Sequence, residues 1–250
     1  MKYILKTTLI VMTALLLSNC TQDESKFKSE VPTTPQEATP IEEEVQVKVS
    51  PNTLPSEFNL NVQFYSQAPK ADWGMPYQEA CEEASLILAH NYVTLNTMTL
   101  EEFDKAIRDM VDWQVEAYGV HKDITIEEVG IIAEKYLGYT NFEIIDNPTP
   151  TQIKENLAAG YPIVAPFAGR QLGNPFFTGE GPIYHMLVIK GYENGPDGPR
   201  FITNDVGTRR GENFVYDEGV FMSALHDWVE GSLENPALMN RGPKQIMILK

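Results

Sequence analysis

Basic residues are scarce in this chain of 250 residues. Lysine and arginine number 19 against 35 aspartates and glutamates, which gives a formal charge of −16. Binding to nucleic acid needs clustered cations that neutralise phosphates, and no such cluster occurs in the sequence. The composition therefore predicts an acidic, soluble surface and no nucleic-acid partner.

Cysteine and histidine are also few. The two cysteines are Cys20 and Cys81, and the four histidines are not clustered with them. Two cysteines in separate contexts do not make a disulfide framework, and the spacing typical of zinc ligands is missing. The sequence therefore predicts no metal and no cofactor, and it leaves Cys81 as a single free thiol in the globular region.

No apolar run is long enough to cross a bilayer comfortably. Two lysines precede the apolar segment 7–17, a pattern typical of an export signal. The segment ends in Leu17-Ser18-Asn19-Cys20, which resembles a bacterial lipoprotein lipobox with cleavage before Cys20 and lipid on its sulfur. We therefore predict a signal peptide at 1–19 and anchoring to a membrane of the bacterial cell envelope, on its extracytoplasmic side. A plain secretory signal or an N-terminal membrane helix is the alternative.

Residues 20–58 differ in composition from the rest of the chain. They are rich in Pro, Thr, Ser, Glu and Lys and almost free of aromatic residues. A segment of this kind buries too little apolar surface to fold, so it is predicted to be a disordered linker behind the lipid. The remaining residues, 59–250, show no internal repeat and are predicted to form one domain.

Helix signals dominate the first half of that domain and strand signals the second. Capping boxes begin at Thr99, Thr125 and Thr149, and apolar periodicity predicts a helix over 81–92. The predicted strands are 62–67, 161–165, 183–189, 200–204 and 245–249, with a late helix over 218–229. Helices followed by mostly antiparallel strands predict an α+β fold.

Cys81 stands where the first of these helices begins. No Ser, Thr, Asp or Asn occupies 77–81 to cap the helix. Its free N–H groups and the positive end of its dipole can lower a thiol pKa and stabilise an oxyanion. Cys81 is therefore a candidate nucleophile, and the alternative is a buried cysteine that acts as a small hydrophobic residue.

A cysteine nucleophile needs a base, and the four histidines differ in their placement. His90 lies on the same helix as Cys81 but on its opposite face. His121 lies in a loop and His226 in a polar stretch of the late helix, so both are predicted to face solvent. His185 opens an apolar strand after a glycine-rich loop, where catalytic groups commonly lie. It is the preferred base, and a satisfied core histidine is the alternative.

An acid that orients His185 is found by pairing the next two strands. If Tyr192 faces Arg200 across the hairpin, Asp205 lies on the same face as His185 and diagonal to it. Asn204 then points the other way. A register change of one residue would exchange Asp205 and Asn204.

These residues predict a catalytic triad of Cys81, His185 and Asp205. Asp205 would hold the imidazole in one tautomer, and His185 would activate the thiol and protonate the leaving group. The oxyanion would be stabilised by the Cys81 N–H and a side-chain amide. Gln67 and Gln78 are the candidates for that amide, and Gln67 is preferred because Gln78 falls near the helix.

Four segments of the chain resemble one known family. They are Phe64-Tyr65-Ser66-Gln67, Cys81-Glu82-Glu83-Ala84-Ser85, Tyr184-His185-Met186-Leu187-Val188 and Thr203-Asn204-Asp205. Together they resemble the papain-like cysteine peptidases related to bacteriocin leader peptidases, cysteine peptidase family thirty-nine, over about residues 59–249. The resemblance implies a papain-like fold, with Gln67 in the oxyanion hole, Cys81 as nucleophile, His185 as base and Asp205 as orienting acid.

Two features depart from that family's pattern. Gln67 precedes Cys81 by fourteen residues, so the intervening segment must fold back for the glutamine to reach the thiol. Glu82 and Glu83 place negative charge beside the sulfur, which opposes thiolate formation unless both point away.

The sequence as a whole predicts a lipid-anchored, extracytoplasmic cysteine peptidase that hydrolyses a peptide or protein substrate through an acyl-enzyme. Two alternatives stay open at this level. The same triad could hydrolyse a cell-wall amide or another amide, or the domain could be an inactive papain-like module that binds a peptide or a partner.

Overall fold

The structure is a computed structural model, and it describes residues 54–250. The predicted signal peptide, the predicted lipidation site Cys20 and nearly all of the predicted linker lie outside the described residues. Within 54–250, no helix is both long enough and apolar enough to cross a membrane.

The helices begin where the capping boxes predict. The Oγ atoms of Thr99, Thr125 and Thr149 accept hydrogen bonds from the backbone N–H three residues later at 3.3, 3.3 and 3.2 Å. The residue at that third position, Glu or Gln, returns the bond to the cap, as in a complete capping box. The helices are α1 (Cys81–Val93), α2 (Leu100–Tyr118), α3 (Ile126–Lys135), α4 (Pro150–Ala158), α5 (Gly169–Leu172) and α6 (Glu218–Ala224).

Seven strands of the described chain form one antiparallel sheet. They are β1 (Phe58–Asn59), β2 (Phe142–Asp146), β3 (Ile163–Ala168), β4 (Tyr184–Gly195), β5 (Gly198–Asn204), β6 (Phe214–Asp217) and β7 (Gln245–Leu249). The order across the sheet is β2-β7-β3-β4-β5-β6, with the short β1 paired to β4. The predicted α+β fold is confirmed.

Helix α1 is the central helix of the fold. It packs on the sheet and is covered on its other side by α2 and α3. Its side chains are therefore buried almost all round, with Leu86 and Leu88 each about 1% exposed. Burying such a leucine contributes roughly 1.5–3 kcal/mol, so the helix that begins at Cys81 is firmly anchored beneath the strand that carries His185.

The segment 62–67, predicted as a strand, is irregular instead. Its backbone is held from the side by Asn204, whose Nδ2 donates to the carbonyl oxygens of Val62 and Gln63, both at 3.1 Å. At its end the N–H of Gln67 donates to the carbonyl of Val206 at 2.9 Å. The alternating pattern indicates which side chains are buried here. The backbone is nevertheless bonded by the buried side-chain amide of Asn204 and not by the hydrogen bonds of a neighbouring strand.

The late helix is also shorter than predicted. It ends at Ala224 rather than near residue 229, because Leu225 leaves helical geometry to make an isolated bridge with Phe167. The strands β2 and β6 were not predicted from the sequence. Both are short and only partly buried, so neither shows clear alternation.

The β4–β5 hairpin differs from the predicted pairing at its turn. Tyr192 pairs with Phe201 rather than with Arg200, so the register near the turn is one residue off. A bulge between Ile189 and Gly191 then removes the difference, and Val188 pairs with Asn204. The predicted pairing is therefore correct next to Asp205 and His185. It is correct there only because of a β-bulge that the sequence does not reveal.

Candidate active site

Cys81 is the first residue of α1 and is 4% exposed. A 3-10 helix at Tyr77–Glu79 leads into it, and within the described residues no side chain caps the first turn of α1. The Cys81 sulfur accepts a hydrogen bond from the N–H of Met186 on β4 at 3.3 Å. The thiol is thereby tied to the strand position immediately after His185.

His185 and Asp205 are in direct contact. His185 Nε2 lies 2.7 Å from Asp205 Oδ1, and both side chains are almost completely buried. His185 is the second residue of β4, and Asp205 follows the last residue of β5, so neighbouring strands of the sheet present them. With Nε2 engaged by the carboxylate, Nδ1 is the ring nitrogen left for proton transfer.

Three further groups hold the Asp205 carboxylate. Oδ2 accepts from Asn174 Nδ2 at 2.8 Å and from the Tyr216 hydroxyl, and Oδ1 accepts from the Gly207 N–H at 3.0 Å. Burial by itself would raise the pKa of Asp205, but the attraction of His185 and the hydrogen bonds outweigh it, so the pKa is lowered. Asp205 is therefore kept ionised and fixed in orientation beside the imidazole. Sequence patterns gave no sign that Asn174 or Tyr216 binds Asp205.

A cleft of about 1050 Å³ lies at the candidate site. Cys81 and His185 line it together with Gln67 and Gln78. The His185 ring is held edge-on by Phe177 at 5.3 Å between ring centroids, and a Cβ added at Gly207 would come within 2.7 Å of His185 Cε1. The imidazole is therefore confined from two sides at the cleft wall.

Gln67 reaches the segment before Cys81 despite the fourteen-residue gap. Its Nε2 donates to the carbonyl oxygens of Tyr77 and Gln78 at 2.9 and 3.2 Å, while its Oε1 is buried and has no hydrogen-bond partner within the described residues. The intervening loop is drawn back by Asp104 of α2, which accepts from Lys70 and from the Tyr77 hydroxyl. Both Nε2 protons of Gln67 are thus used by backbone carbonyls in this arrangement. Gln78 Nε2 instead donates to Glu79.

Glu82 and Glu83 do not point to solvent; both are about 1% exposed. The Cys81 thiol donates to Glu82 Oε2 at 3.1 Å, and the N–H of Ile124 donates to Glu82 Oε1 at 3.0 Å. Burial first, and then the negative charges of Glu82 and Asp123, raise the pKa of Cys81 well above its ordinary value; the Met186 N–H acts in the opposite direction. The expected lowering by the helix dipole is therefore overcome by burial and neighbouring carboxylates.

Among the described residues, no hydrogen bond joins Cys81 to His185 or to another histidine, because the sulfur is engaged by Glu82 and Met186. The other three histidines have partners elsewhere. The His121 side chain is 5% exposed and lies 3.3 Å from Glu83 Oε1, so the prediction that it faces solvent is wrong. His226 lies outside the shortened helix, half-buried, with Nδ1 at 2.8 Å from the carbonyl oxygen of Gly242. His90 packs edge-on against Tyr139. Burial among acidic side chains accounts for the position of His121, which no local pattern reveals.

Comparison with known proteins places the chain in a family. A family model described as the Peptidase_C39 like family matches residues 59–230. The chain belongs to this family. The predicted relationship to cysteine peptidase family thirty-nine is thereby confirmed, and membership of the C39-like family indicates cysteine peptidase activity.

The chain also resembles a solved structure. A crystal structure from Bacillus anthracis, provisionally named a C39-like peptidase, shares 16% identity with a TM-score of 0.49, and covers 78% of this chain and 98% of that one. Curated protein sequences give no match. All four residues predicted for the C39-like site lie within the range of the family model. Among residues 54–250, no group of His, Cys, Asp or Glu side chains is arranged to hold a metal ion.

The contact between the thiol and Glu82 predicts how this C39-like site responds to pH. Because the pKa of Cys81 is raised, the sulfur is protonated at neutral pH, and its alkylation by iodoacetamide should accelerate about tenfold per pH unit as pH rises toward that pKa. Burial, and then the charges of Asp123 and Glu83, also raise the pKa of Glu82 well above its ordinary value. Glu82→Gln removes this ionisable carboxyl while keeping an acceptor for Ile124. We expect its alkylation profile to move to lower pH by about one unit.

Stopped-flow or mass-spectrometric alkylation rates between pH 6 and 10 measure this. Glu101→Gln, an exposed first-turn carboxyl of α2, is the matched control and should leave the profile in place. An unchanged profile in Glu82→Gln would show that Glu82 does not act on the thiol.

Proposed function

We propose that this C39-like protein hydrolyses peptide bonds with Cys81 as nucleophile, His185 as general base and acid, and Asp205 as the acid that orients His185. The observation that carries the proposal is the 2.7 Å contact between His185 Nε2 and an ionised, buried Asp205, at the wall of a cleft that also contains the Cys81 thiol. A nucleophile, a base and a group that orients the base are the parts that acyl transfer by a thiol requires.

In the proposed reaction the thiol proton moves to His185 Nδ1 as the sulfur attacks the carbonyl carbon of the scissile peptide. The C–N bond then breaks, the imidazolium protonates the leaving amine, and an acyl-enzyme remains on Cys81. Water attacks this thioester with His185 as base, which releases the carboxylic acid and restores the thiol. Asp205 stays ionised throughout and stabilises the imidazolium.

The first step requires a change at the sulfur. The S–H group donates to Glu82 in this structure, so it must rotate toward His185 for the proposed attack. Catalytic hydrogen bonds commonly tighten only in the complex with substrate.

The oxyanion is assigned to the Cys81 N–H, at the uncapped start of α1, and to a side-chain amide. Gln67 is proposed for that amide, since it lies directly against the turn that precedes Cys81. One of its two Nε2 protons must leave a backbone carbonyl to serve the oxyanion. Gln78 also lines the cleft and is the second candidate.

Active-site labelling tests the enzyme proposal. A peptidyl epoxide should modify Cys81 in the folded protein, and mass spectrometry of the digested protein should find no label in Cys81→Ala. Labelling of wild type at the rate of a free thiol, with no saturation by the peptide part, would contradict the proposal and favour an inactive binding module. A peptide library and purified peptidoglycan, digested in parallel, separate a peptidase from a cell-wall amidase.

We also propose that the mature protein is anchored by lipid on Cys20 and faces the extracytoplasmic side of a bacterial envelope. The support is the sequence Leu17-Ser18-Asn19-Cys20 after a basic and apolar start. Cys20→Ser should move the protein from the membrane fraction to the soluble fraction and remove the acyl mass. A variant that stays in the membrane fraction would contradict lipid anchoring.

A further inference from the structure

The side chain of Asn174 makes hydrogen bonds in two directions. Its Nδ2 donates to Asp205 Oδ2 at 2.8 Å and to the Tyr216 hydroxyl at 2.9 Å, and its Oδ1 accepts from the N–H of Phe176 at 3.0 Å. Asn174 is 5% exposed and Tyr216 is 4% exposed, so these bonds lie inside the protein. The amide of Asn174 therefore connects the buried carboxylate of the proposed triad to the chain that follows Asn174.

Asparagine suits both sides of this arrangement. The bond from the Phe176 N–H to Asn174 Oδ1 closes an Asx-turn, in which a side-chain oxygen accepts from the backbone two residues later. An ionised aspartate closes the same turn, but it has no proton to donate to the Asp205 carboxylate. A reversed amide would point its oxygen at that carboxylate and its NH2 group at the Phe176 N–H, so the partners fix its orientation. The contact with Asp205 thus requires more of this residue than the turn does.

The turn that begins at Asn174 places two aromatic residues at the cleft. Phe176 and Phe177 both line the cleft, and the N–H of Phe177 donates to the Asn174 carbonyl at 3.1 Å. The Phe177 ring packs edge-on against His185, and the Phe176 ring, 41% exposed, packs edge-on against Phe214 of β6. A shift of Asn174 would therefore move both the ring that confines the imidazole and a ring that is open to a ligand.

We propose that Asn174 is a positioning residue that couples this aromatic wall of the cleft, Phe176 and Phe177, to the orientation of Asp205 and thereby of His185. The inference rests on the proposed function, because it assigns a part in the reaction of that triad. A substrate held against the two rings settles the turn whose amide fixes the carboxylate. Part of the binding energy of the substrate is thus used to align the base.

Two variants separate the two sides of Asn174. Asn174→Ala removes the bonds to Asp205 and to Phe176, whereas Tyr216→Phe removes a donor to Asp205 and leaves the turn in place. In steady-state hydrolysis of a fluorogenic peptide, we expect Asn174→Ala to lower kcat about tenfold and to raise KM about fivefold. Tyr216→Phe should lower kcat by a similar factor and leave KM unchanged, because the wall of the cleft stays where it is.

Asn156→Ala is the matched control. Asn156 is half-buried on α4, and its Nδ2 donates to the carbonyl of Gln152 on the same helix. Both kinetic constants of Asn156→Ala should stay within about twofold of the wild-type values. Wild-type kcat in a folded Asn174→Ala variant would overturn the proposal, whatever its KM, because Asn174 would then serve the turn alone. An unchanged KM would also overturn it, because the wall would then not depend on Asn174.

Hydrogen exchange tests the connection to the wall without requiring hydrolysis. The N–H groups of Phe176 and Phe177 both donate to Asn174, and mass spectrometry follows the exchange of the peptide that contains them. We expect exchange of these amides to be about tenfold faster in Asn174→Ala and equal to wild type in Tyr216→Phe. Equal exchange in wild type and Asn174→Ala would overturn the proposal. Failure of epoxide labelling in the wild-type protein would instead overturn the peptidase proposal and leave the exchange result standing.

Asn174→Asp keeps the proposal testable if Asn174→Ala does not fold. The introduced carboxyl keeps an oxygen for the Phe176 N–H but loses the donor to Asp205 and faces it with a like charge. We expect wild-type KM and wild-type exchange of the Phe176 amide, with kcat lowered at least about tenfold. Wild-type kcat in Asn174→Asp would overturn the proposal.

Discussion

His185→Ala is expected to lower kcat/KM for peptide hydrolysis by roughly 10⁴- to 10⁶-fold, the range for losing one member of a catalytic triad. The expected loss is large because the thiol of Cys81 has a raised pKa and its proton points to Glu82. Without the imidazole, nothing in the proposed site removes that proton toward the substrate or protonates the leaving amine. Steady-state hydrolysis of a fluorogenic peptide at pH 7.5 measures the effect.

His90→Ala is the matched control. His90 is half-buried on α1 but packs against Tyr139 rather than in the cleft. The kcat/KM of His90→Ala should stay within about twofold of the wild-type value, since substitutions away from reacting groups leave transition-state binding intact. If His185→Ala retained more than a tenth of the wild-type rate, with an unchanged circular dichroism spectrum, His185 would not be the base.

The relation between His185 and Asp205 could be predicted because a strand alternates its faces regularly. Two neighbouring strands joined by a short turn can pair in only a few registers. A partner of His185 must lie on the same face of the sheet as His185, which limits the choice further. The predicted pairing is nevertheless wrong at Tyr192 and becomes right only after the bulge near Lys190. Local sequence patterns predict which side chains share a face of the sheet. The position of a bulge depends instead on how β1 and β5 pair with β4.

Other parts of the site could not be predicted, because they depend on contacts between distant segments. Glu82 reads as a surface residue in the first turn of a helix, where acidic residues are common. Its burial follows from the N–H of Ile124, 42 residues away, and from the helices that cover α1. The same holds for Asn174 and Tyr216, which converge on Asp205 from separate loops and strands.

Gly211→Ala is expected to destabilise the domain by about 3 kcal/mol, at the upper end of the range for overpacking a tight interior. A Cβ on Gly211 would lie 1.8 Å from the carbonyl oxygen of Asp205 and 2.6 Å from its carbonyl carbon. Both atoms are backbone, so no side-chain rotation can relieve the clash. The N–H of Asp205 also donates to the Gly211 carbonyl at 2.9 Å. The strain therefore falls directly on the residue that orients His185.

The two consequences of Gly211→Ala can be measured separately. Urea unfolding gives the change in stability, and kcat/KM well below the melting temperature gives the displacement of Asp205, which we expect to cost roughly 10²-fold in rate. Gly219→Ala is the control: a Cβ there meets nothing within 4 Å, and alanine favours the helix α6 by about 0.5–1 kcal/mol. A folded Gly211→Ala variant with wild-type activity would show that the main chain around Asp205 does not set the geometry of the proposed triad.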